Sequence, residues 1–268
     1  DPAQTDDDFP QKNFNVLTYT GNGSTQSISN LGFQPDLCWI KDRTSTAAYG
    51  NVLIDSSRGR AKVLYSHDTR AELSSGASED LTSFDSDGFS LANSSNAAVN
   101  TSSQNYVAWC WKANGGTTAS NTDGSMTSTV QANTKAGFSI VTYTGDGSDG
   151  DVGHGLSSAP EFVISKRRDG TGPWYTLHAS AGVGYLELNS NIAFQSGSVP
   201  FGSSLPTASV VGATSANRIS GQTFILYCWH SVEGYSKFSK FTGNGNADGP
   251  FVYTGFRPRL LFIKNAST

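Results

Sequence analysis

Charged side chains are scarce in this sequence of 268 residues: they make up 15% of the chain, and the formal net charge is -4. A chain without a basic excess has little with which to neutralise phosphate groups, so we expect no nucleic-acid partner. Long hydrophobic runs are absent as well. The longest, at residues 106–111 and 224–229, span six residues each, whereas a transmembrane helix needs ~20. We therefore expect no membrane insertion.

Cysteine is also rare, since Cys38, Cys110 and Cys228 are the only three in the sequence. An odd number this small does not make a disulfide framework, and cysteine is among the residues most often found buried. We expect three buried thiols that remain reduced.

Glycine, by contrast, is abundant, with 29 residues, and long stretches are rich in Ser, Thr and Asn. Apolar residues still supply 36% of the chain and aromatic residues 11%. This composition is typical of short strands joined by polar turns, and it disfavours helices. The length is sufficient for two compact units, each with its own core.

An internal repeat organises the chain. A Tyr/Phe-Thr-Gly-Asn/Asp-Gly motif begins at Tyr19, Tyr143 and Phe241, and a proline follows after 16, 17 and 17 residues. That proline leads an apolar stretch that ends in lysine. Agreement this close marks three copies of one structural unit.

Two further elements recur in the first two units: residues 106–112 match residues 224–230, and residues 52–59 match residues 175–182. The third unit has neither element. The predicted organisation is a linker (1–12), a first repeat (13–115), an ordered spacer (116–136), a second repeat (137–234) and the truncated start of a third repeat (235–268).

The predicted fold is all-β, with tandem repeats that each form an antiparallel β-sandwich, for which a jelly-roll-like form is one option. The turns at residues 22–23 and 244–245 are Asn-Gly pairs, which favour type I′ hairpins. The proline-led stretches are apolar on both faces and predict central, covered strands. Lys41, Lys166 and Lys264 end these stretches, and we expect them to reach solvent as charged stops.

Acidic turns are the first candidates for a metal site. Asp85 and Asp87 resemble part of a calcium loop but lack its closing Glu, and Asp146, Asp149 and Asp151 form a second acidic tract. We interpret both as surface turns. The four histidines, at residues 67, 154, 178 and 230, lack the spacing of local metal sites. We therefore assign no metal, no cofactor and no catalytic residue.

Tryptophans are candidates for sugar-stacking platforms. Trp111 and Trp229 occupy equivalent repeat positions, however, so we expect a shared packing role for them. Trp174 lies in a stretch flanked by Gly and Pro and has no clear partner in the first repeat. It is therefore the better candidate for exposure.

Four strings carry a family resemblance. They include Tyr-Thr-Gly-Asn-Gly-Ser-Thr-Gln-Ser-Ile at 19–28 and Gly-Phe-Gln-Pro-Asp-Leu at 32–37, with two more at 81–89 and 248–258. The strings resemble a repeated domain of uncharacterised function in tail-fibre-like virion structural proteins of marine tailed phages and prophages. There the domain often follows a SPRY-like domain ending in an Asp-Pro linker, which residues 1–2 look like. The resemblance covers nearly the whole chain.

The resemblance implies a virion structural and adhesion module of a phage tail fibre or similar appendage, assembled in the host cytoplasm and exposed outside the cell. Its partners would be other virion proteins, a host surface glycan or protein, and further copies of the chain, with a trimer favoured. We expect loops 42–50, 66–80, 92–104 and 189–222 to make these contacts. Since the resemblance brings no catalytic residues, we expect no enzyme.

Two alternatives remain open at this stage. A carbohydrate-active depolymerase would require a groove with two convergent carboxylates, whose partners meet only in space. A purely structural spacer would never touch the host.

The third unit generates an expectation of its own. Two or three strands cannot bury both faces of a sheet, so this unit should not be stable alone. We expect its apolar side chains to pack against the second repeat, another chain, or sequence missing here, and the resemblance favours a longer parent protein that continues beyond Thr268. The side chains concerned are Phe251, Phe256, Leu260 and Phe262.

Overall fold

The computed structural model describes residues 9–44, 51–74, 80–92 and 98–267. These residues form an all-β protein with three short 3-10 helices, at Pro10–Lys12, Ala179–Ala181 and Ser215–Asn217. None of the helices in this part of the chain is long or apolar enough to cross a bilayer. The strands are β1 (Phe14–Thr20), β2 (Gln26–Ile28), β3 (Leu37–Asp42), β4 (Val52–Asp55), β5 (Lys62–Tyr65), β6 (Leu73–Ser74), β7 (Leu81–Asp85), β8 (Gly88–Leu91), β9 (Asn105–Trp111), β10 (Ala119–Asn121), β11 (Ser128–Asn133), β12 (Phe138–Thr144), β13 (Gly150–Gly153), β14 (Phe162–Arg167), β15 (Trp174–His178), β16 (Gly184–Glu187), β17 (Gln195–Ser196), β18 (Val210–Ala213) and β19 (Thr223–Trp229).

Two large antiparallel sheets contain most of the strands. The first has the order β1-β9-β3-β4-β5-β6, and the second has the order β10-β11-β12-β19-β14-β15-β16-β17. The six strands of the first sheet thus have the same order as the last six of the second. Strands β10 and β11, from the predicted spacer, extend the second sheet at its edge.

The last strand of each series, β9 or β19, is called the closing strand here. Strand β9 pairs with both β1 and β3, and β19 pairs with both β12 and β14. The registers agree too, since Trp111 lies opposite Leu37 and Trp229 lies opposite Phe162. In each sheet, two earlier strands are therefore joined only through a strand that comes much later in the chain.

A small sheet covers one face of each large sheet. The order β2-β8-β7 belongs to the first unit and β13-β18 to the second. Ile40 of the first large sheet shares a core with Phe89 of its small sheet. Val163 of the second large sheet shares a core with Val211. Each unit thus has the layered form of a β-sandwich, in agreement with the predicted all-β fold.

The other faces of the two large sheets pack against each other and form the shared core. The Trp111 and Trp229 rings meet there edge to face, with centroids 5.9 Å apart. Their predicted packing role is confirmed. The buried members of the shared core are Leu37, Leu53, Leu64, Trp111, Ala113, Phe138, Ile140, Ile164, Trp174, Ile225, Tyr227 and Trp229.

A buried ionic network crosses the shared core. The Tyr227 hydroxyl donates to Asp55 at 2.7 Å, and Arg58 pairs with Asp55 at 2.6 Å and with Glu72 at 2.9 Å. Glu72 also accepts from Arg168 of the second unit, at 2.9 and 3.1 Å. Burial alone would raise the pKa of Glu72, but hydrogen bonds and charge from Arg168 and Arg58 lower it below its ordinary value. The network therefore links the two units through charge-assisted hydrogen bonds.

The hairpin predicted at residues 22–23 is wrong. Strand β1 pairs with β9, whereas β2 pairs with β8 in the small sheet, so the turn leads from one sheet to the other. Gly23 has a positive φ of 68°, as an Asn-Gly turn requires. The N–H groups of Asn22 and Gly23, however, are bound by Asn100 at 3.1 and 3.0 Å. A long-range contact therefore decides where the chain goes after this turn.

The expectation that the strand-ending lysines reach solvent is wrong for Lys166. Lys41 is exposed, but Lys166 is fully buried. Its Nζ donates to the carbonyl oxygens of Thr69 at 3.0 Å and Gly172 at 2.7 Å, close to the Trp174 ring. The loop of the first unit that contains Thr69 covers this strand end. Burial lowers the pKa of Lys166 to about 8.

All three cysteines are free and buried, as predicted. Cys38 and Cys110 lie directly opposite each other, but their sulfur atoms are 3.8 Å apart, far beyond the ~2.05 Å of a disulfide. Burial raises the pKa of the Cys38 thiol well above its ordinary value. This thiol is therefore protonated and unreactive at neutral pH.

The C-terminal segment, residues 235–267, contains no strand in the part of the chain described. The covered strand predicted at residues 260–263 is therefore wrong, as is the hairpin at residues 244–245. Leu261 and Ile263 are each 67% exposed. In the complete units the equivalent strands, β3 and β14, pair with a closing strand. Among the described residues, no strand pairs with the C-terminal segment in this way.

We expect Asp55→Ala to lower the free energy of unfolding by about 3–5 kcal/mol, because it leaves Arg58 and Tyr227 without their common buried acceptor. Denaturant unfolding followed by circular dichroism measures the change. Asp149→Ala is the matched control, since this carboxylate is exposed, and it should stay within ~0.5 kcal/mol of the parent. Equal losses in the two variants would show that the network does not hold the units together.

Candidate interaction surface

The acidic turn at residues 85–87 is bound by its own chain. Asp85 accepts from the hydroxyls of Ser83 at 2.6 Å and Ser90 at 2.7 Å. Asp87 accepts from two backbone N–H groups, at 3.1 and 2.6 Å. Both carboxylates hold the turn in place, and β7 and β8 pair on either side of it.

The second acidic tract is likewise held by hydrogen bonds within the protein. Arg218 donates to both carboxylate oxygens of Asp146, at 2.6 and 2.7 Å. This hydrogen bonding lowers the pKa of Asp146 to about 2. Asp151 accepts from the N–H of Ser125 at 2.7 Å. Among the described residues, no three His, Cys, Asp or Glu side chains are grouped so that they could hold a metal ion.

Two of the histidines are held in local structure. His154 is buried, and its Nε2 lies 3.2 Å from the carbonyl oxygen of Thr207. The Nδ1 of His178 lies 3.0 Å from the Ser180 hydroxyl. Burial lowers the pKa of both histidines. They are therefore neutral near pH 7 and contribute no charge.

The expected exposure of Trp174 is wrong, because its ring is fully buried. The indole N–H donates to the carbonyl oxygens of Tyr65 at 2.9 Å and Asp68 at 3.1 Å, both in the first unit. Trp174 thus joins the two units. This role cannot be predicted from the sequence of one repeat, because its partners lie in the other.

A cavity of ≈ 1610 Å³ lies at one end of the shared core. Small-molecule sites are usually ~300–1,000 Å³, so this cavity is larger than a typical one. One wall consists of aromatic side chains from the two large sheets, and the other is the C-terminal segment. The sheet wall contains Phe14, Trp39, Trp109, Trp111, Phe162 and Trp229.

The sheet wall is a continuous aromatic surface. Phe14 lies 4.8 Å from Trp111, and Phe162 lies 5.5 Å from Trp229, measured between ring centroids. Because Trp111 and Trp229 also touch, these rings connect the two units. A surface of this kind is suited to apolar and stacking contacts.

The C-terminal segment contacts this wall at a few points. Phe238 stacks on Phe162 with centroids 5.8 Å apart, and Phe262 lies 6.2 Å from Trp39 and 6.1 Å from Phe162. Leu260 packs against the shared core. By contrast, Phe251 is 89% exposed. The expected packing thus holds for Leu260 and is only partial for Phe256, which is half-buried, and for Phe262, which is still 52% exposed. It fails for Phe251.

No Asp or Glu lines the cavity within the described parts of the chain. The polar groups there include Lys237, Arg257 and Arg259. Paired carboxylates of the kind that glycosidases use are therefore not brought together at this surface. The chemistry it offers is apolar contact with a few cations at its rim.

Sequence reasoning did not identify the sheet wall, because Trp39, Trp109 and Phe162 lie in apolar strands and resemble ordinary core residues. A signal was present nonetheless. The strands that contain them have large apolar side chains on both faces. A single small sandwich buries only one face of each sheet, so these strands have more apolar surface than their own unit can cover. The excess predicts a second packing partner for each sheet.

Comparison with known proteins gives one assignment. The chain belongs to the family described as a domain of unknown function (DUF7483), which matches residues 9–268. No curated protein and no solved structure matches the chain.

We expect Phe262→Ala to release the C-terminal segment from the sheet wall, because the ring contacts both units there. Limited proteolysis with mass spectrometry should show faster cleavage within residues 240–267, with the rest of the chain intact. Phe251→Ala is the control, since it removes the same atoms from an exposed ring and should leave the cleavage rate unchanged. Equal rates in both variants would contradict the contact.

Proposed function

We propose that this member of the DUF7483 family is a virion structural and adhesion module, carried by a phage tail fibre or similar appendage and assembled as a trimer. The observation that carries the proposal is the shared core, through which two units form one body. Stacked units that bury a continuous core build stiff, extended arrays. An appendage that holds binding loops away from a particle needs such stiffness.

The loops at 42–50, 66–80, 92–104 and 189–222 are the proposed contact regions. Parts of them, at 45–50, 75–79 and 93–97, lie outside the described residues. Two of the loops contain exposed apolar side chains within the described parts, as expected of surfaces that bind a glycan or protein. These side chains are Leu73, Val199, Leu205 and Ile219.

The titratable groups favour this function over the depolymerase alternative. Asp85, Asp87 and Asp146 hold turns, and Asp55 and Glu72 hold the two units together. Each of these carboxylates already has a structural partner. The cavity beside the shared core is lined by aromatic rings, and no Asp or Glu of the described residues lines it. The exposed apolar loop residues favour adhesion over a spacer.

We expect the purified chain to bind intact host cells or a defined glycan on an array. Leu205→Ser with Ile219→Ser should weaken that binding by about tenfold, or ~1.4 kcal/mol, because it removes exposed apolar area from one loop. Phe251→Ser is the control, since Phe251 lies outside the proposed loops.

Other results would favour the alternatives. If the chain bound no cell and no glycan, the result would contradict adhesion and favour the structural spacer. Release of reducing sugar ends from a host polysaccharide would instead identify a depolymerase and refute the adhesion module.

A further inference from the structure

Two loops of equal length occupy the same place in the two complete units. The first edge loop spans residues 66–72, between β5 and β6, and the second spans residues 188–194, between β16 and β17. In each unit these strands pair with each other at the edge of the large sheet. Both loops begin with the same backbone hydrogen bond, from Ser66 to Asn51 at 3.0 Å and from Leu188 to Trp174 at 2.9 Å.

The side chains of the two edge loops are unrelated. The first loop reads Ser-His-Asp-Thr-Arg-Ala-Glu and the second reads Leu-Asn-Ser-Asn-Ile-Ala-Phe, so only the alanine at the sixth position is shared. Any contact that the two loops make in common must therefore come from their backbone groups.

The last residue of each edge loop makes the same bond to the unit that follows. The N–H of Glu72 donates to the carbonyl oxygen of Arg168 at 2.7 Å, and the N–H of Phe194 donates to that of Ala266 at 3.0 Å. Arg168 and Ala266 are aligned, since each lies eight residues after the shared proline. The C-terminal segment thus meets the second unit as the second unit meets the first.

The edge loops also hold the shared lysine of the following repeat. The Nζ of Lys166 donates to the carbonyl oxygen of Thr69 at 3.0 Å, and that of Lys264 donates to Ser190 at 2.7 Å. The two acceptors differ by one position along the loop. Lys41, the aligned lysine of the first unit, is exposed. The lysine is therefore bound in the two repeats that follow an edge loop.

We propose that the two edge loops are docking elements, each of which recognises the following repeat by the lysine that ends its proline-led stretch. A hydrogen bond from an ammonium group is charge-assisted, and such bonds are stronger than neutral ones. Because each loop binds this lysine through backbone carbonyl groups, the loop side chains are free to differ while the lysine is kept. The lysine thus joins repeats.

Side chains add to this common contact in one interface only. Glu72 and Arg168 form an ion pair at 2.9 Å between the first and second units. The aligned residues between the second unit and the C-terminal segment are Phe194 and Ala266, which have no charge. The first interface is therefore reinforced by charge, although the backbone contacts of the two interfaces are alike.

Docking occupies part of the loops that we propose as contact regions. Residues 66–72 and 189–194 serve the following repeat, whereas Leu205 and Ile219 stay exposed for contacts outside the chain. Docking of the repeats does not depend on a virion function, since no host cell or glycan takes part in it.

The first test is Lys264→Met in the full chain. Loss of the charged donor should raise the hydrogen-exchange rate of the Phe194 amide by about tenfold, the usual effect of removing a charge-assisted bond. Lys41→Met is the matched control, because it makes the same change at the aligned, exposed lysine and should leave that rate unchanged. The shared core contains neither lysine, so both variants should stay folded. An unchanged rate in Lys264→Met, or equal rises in both variants, would overturn the proposal.

The second test transfers the ion pair of the first interface to the second. Phe194→Glu combined with Ala266→Arg should slow proteolysis within residues 240–267 by about two- to fivefold relative to either single variant, as expected of a partly exposed ion pair. Each single variant should be cleaved at least as fast as the parent chain. If the double variant is no better protected than the single variants, the two interfaces are not built alike and the proposal fails.

Discussion

Insertion of a closing strand between two earlier strands is the constraint on which the rest of this structure depends. Strand β9 reaches back to β3 so that Cys110 lies opposite Cys38, 72 positions earlier in the chain. Closing so long a loop costs conformational entropy before any contact is made. Backbone pairing on both sides and burial on both faces then offset this cost. The first two units meet the constraint, whereas the described part of the C-terminal segment forms no strand.

Closure of each sheet creates the surface that joins the units. Trp111 and Trp229, at the ends of the closing strands, project into the shared core and touch each other. Tyr227, also on a closing strand, donates to the buried Asp55 of the other unit. Each fully buried large apolar side chain contributes about 1.5–3 kcal/mol to stability. Separating the units would expose many such side chains at once, and the total cost would far exceed the contribution of any single contact. The two units are therefore one folding body.

Sequence reasoning predicted the features that follow from short-range pattern. Glycine-rich composition predicted the all-β class, and the matched motifs predicted the shared strand order and the packing of Trp111 and Trp229. It failed where a distant segment decides the outcome. Asn100 redirects the turn at residues 22–23, and the first unit buries Lys166 and Trp174. The sheet wall was missed for the same reason, because the sequence of a strand does not show which of its faces packs against another unit.

Native-state hydrogen exchange across a denaturant series tests most directly whether the shared core makes the two units one body. The account predicts that the amides of β9 and β19 exchange through a common opening, with the same free energy and the same dependence on denaturant. Exchange of one closing strand at low denaturant, while the other stays protected, would show that each unit opens alone. That result would contradict the shared core as the source of stability.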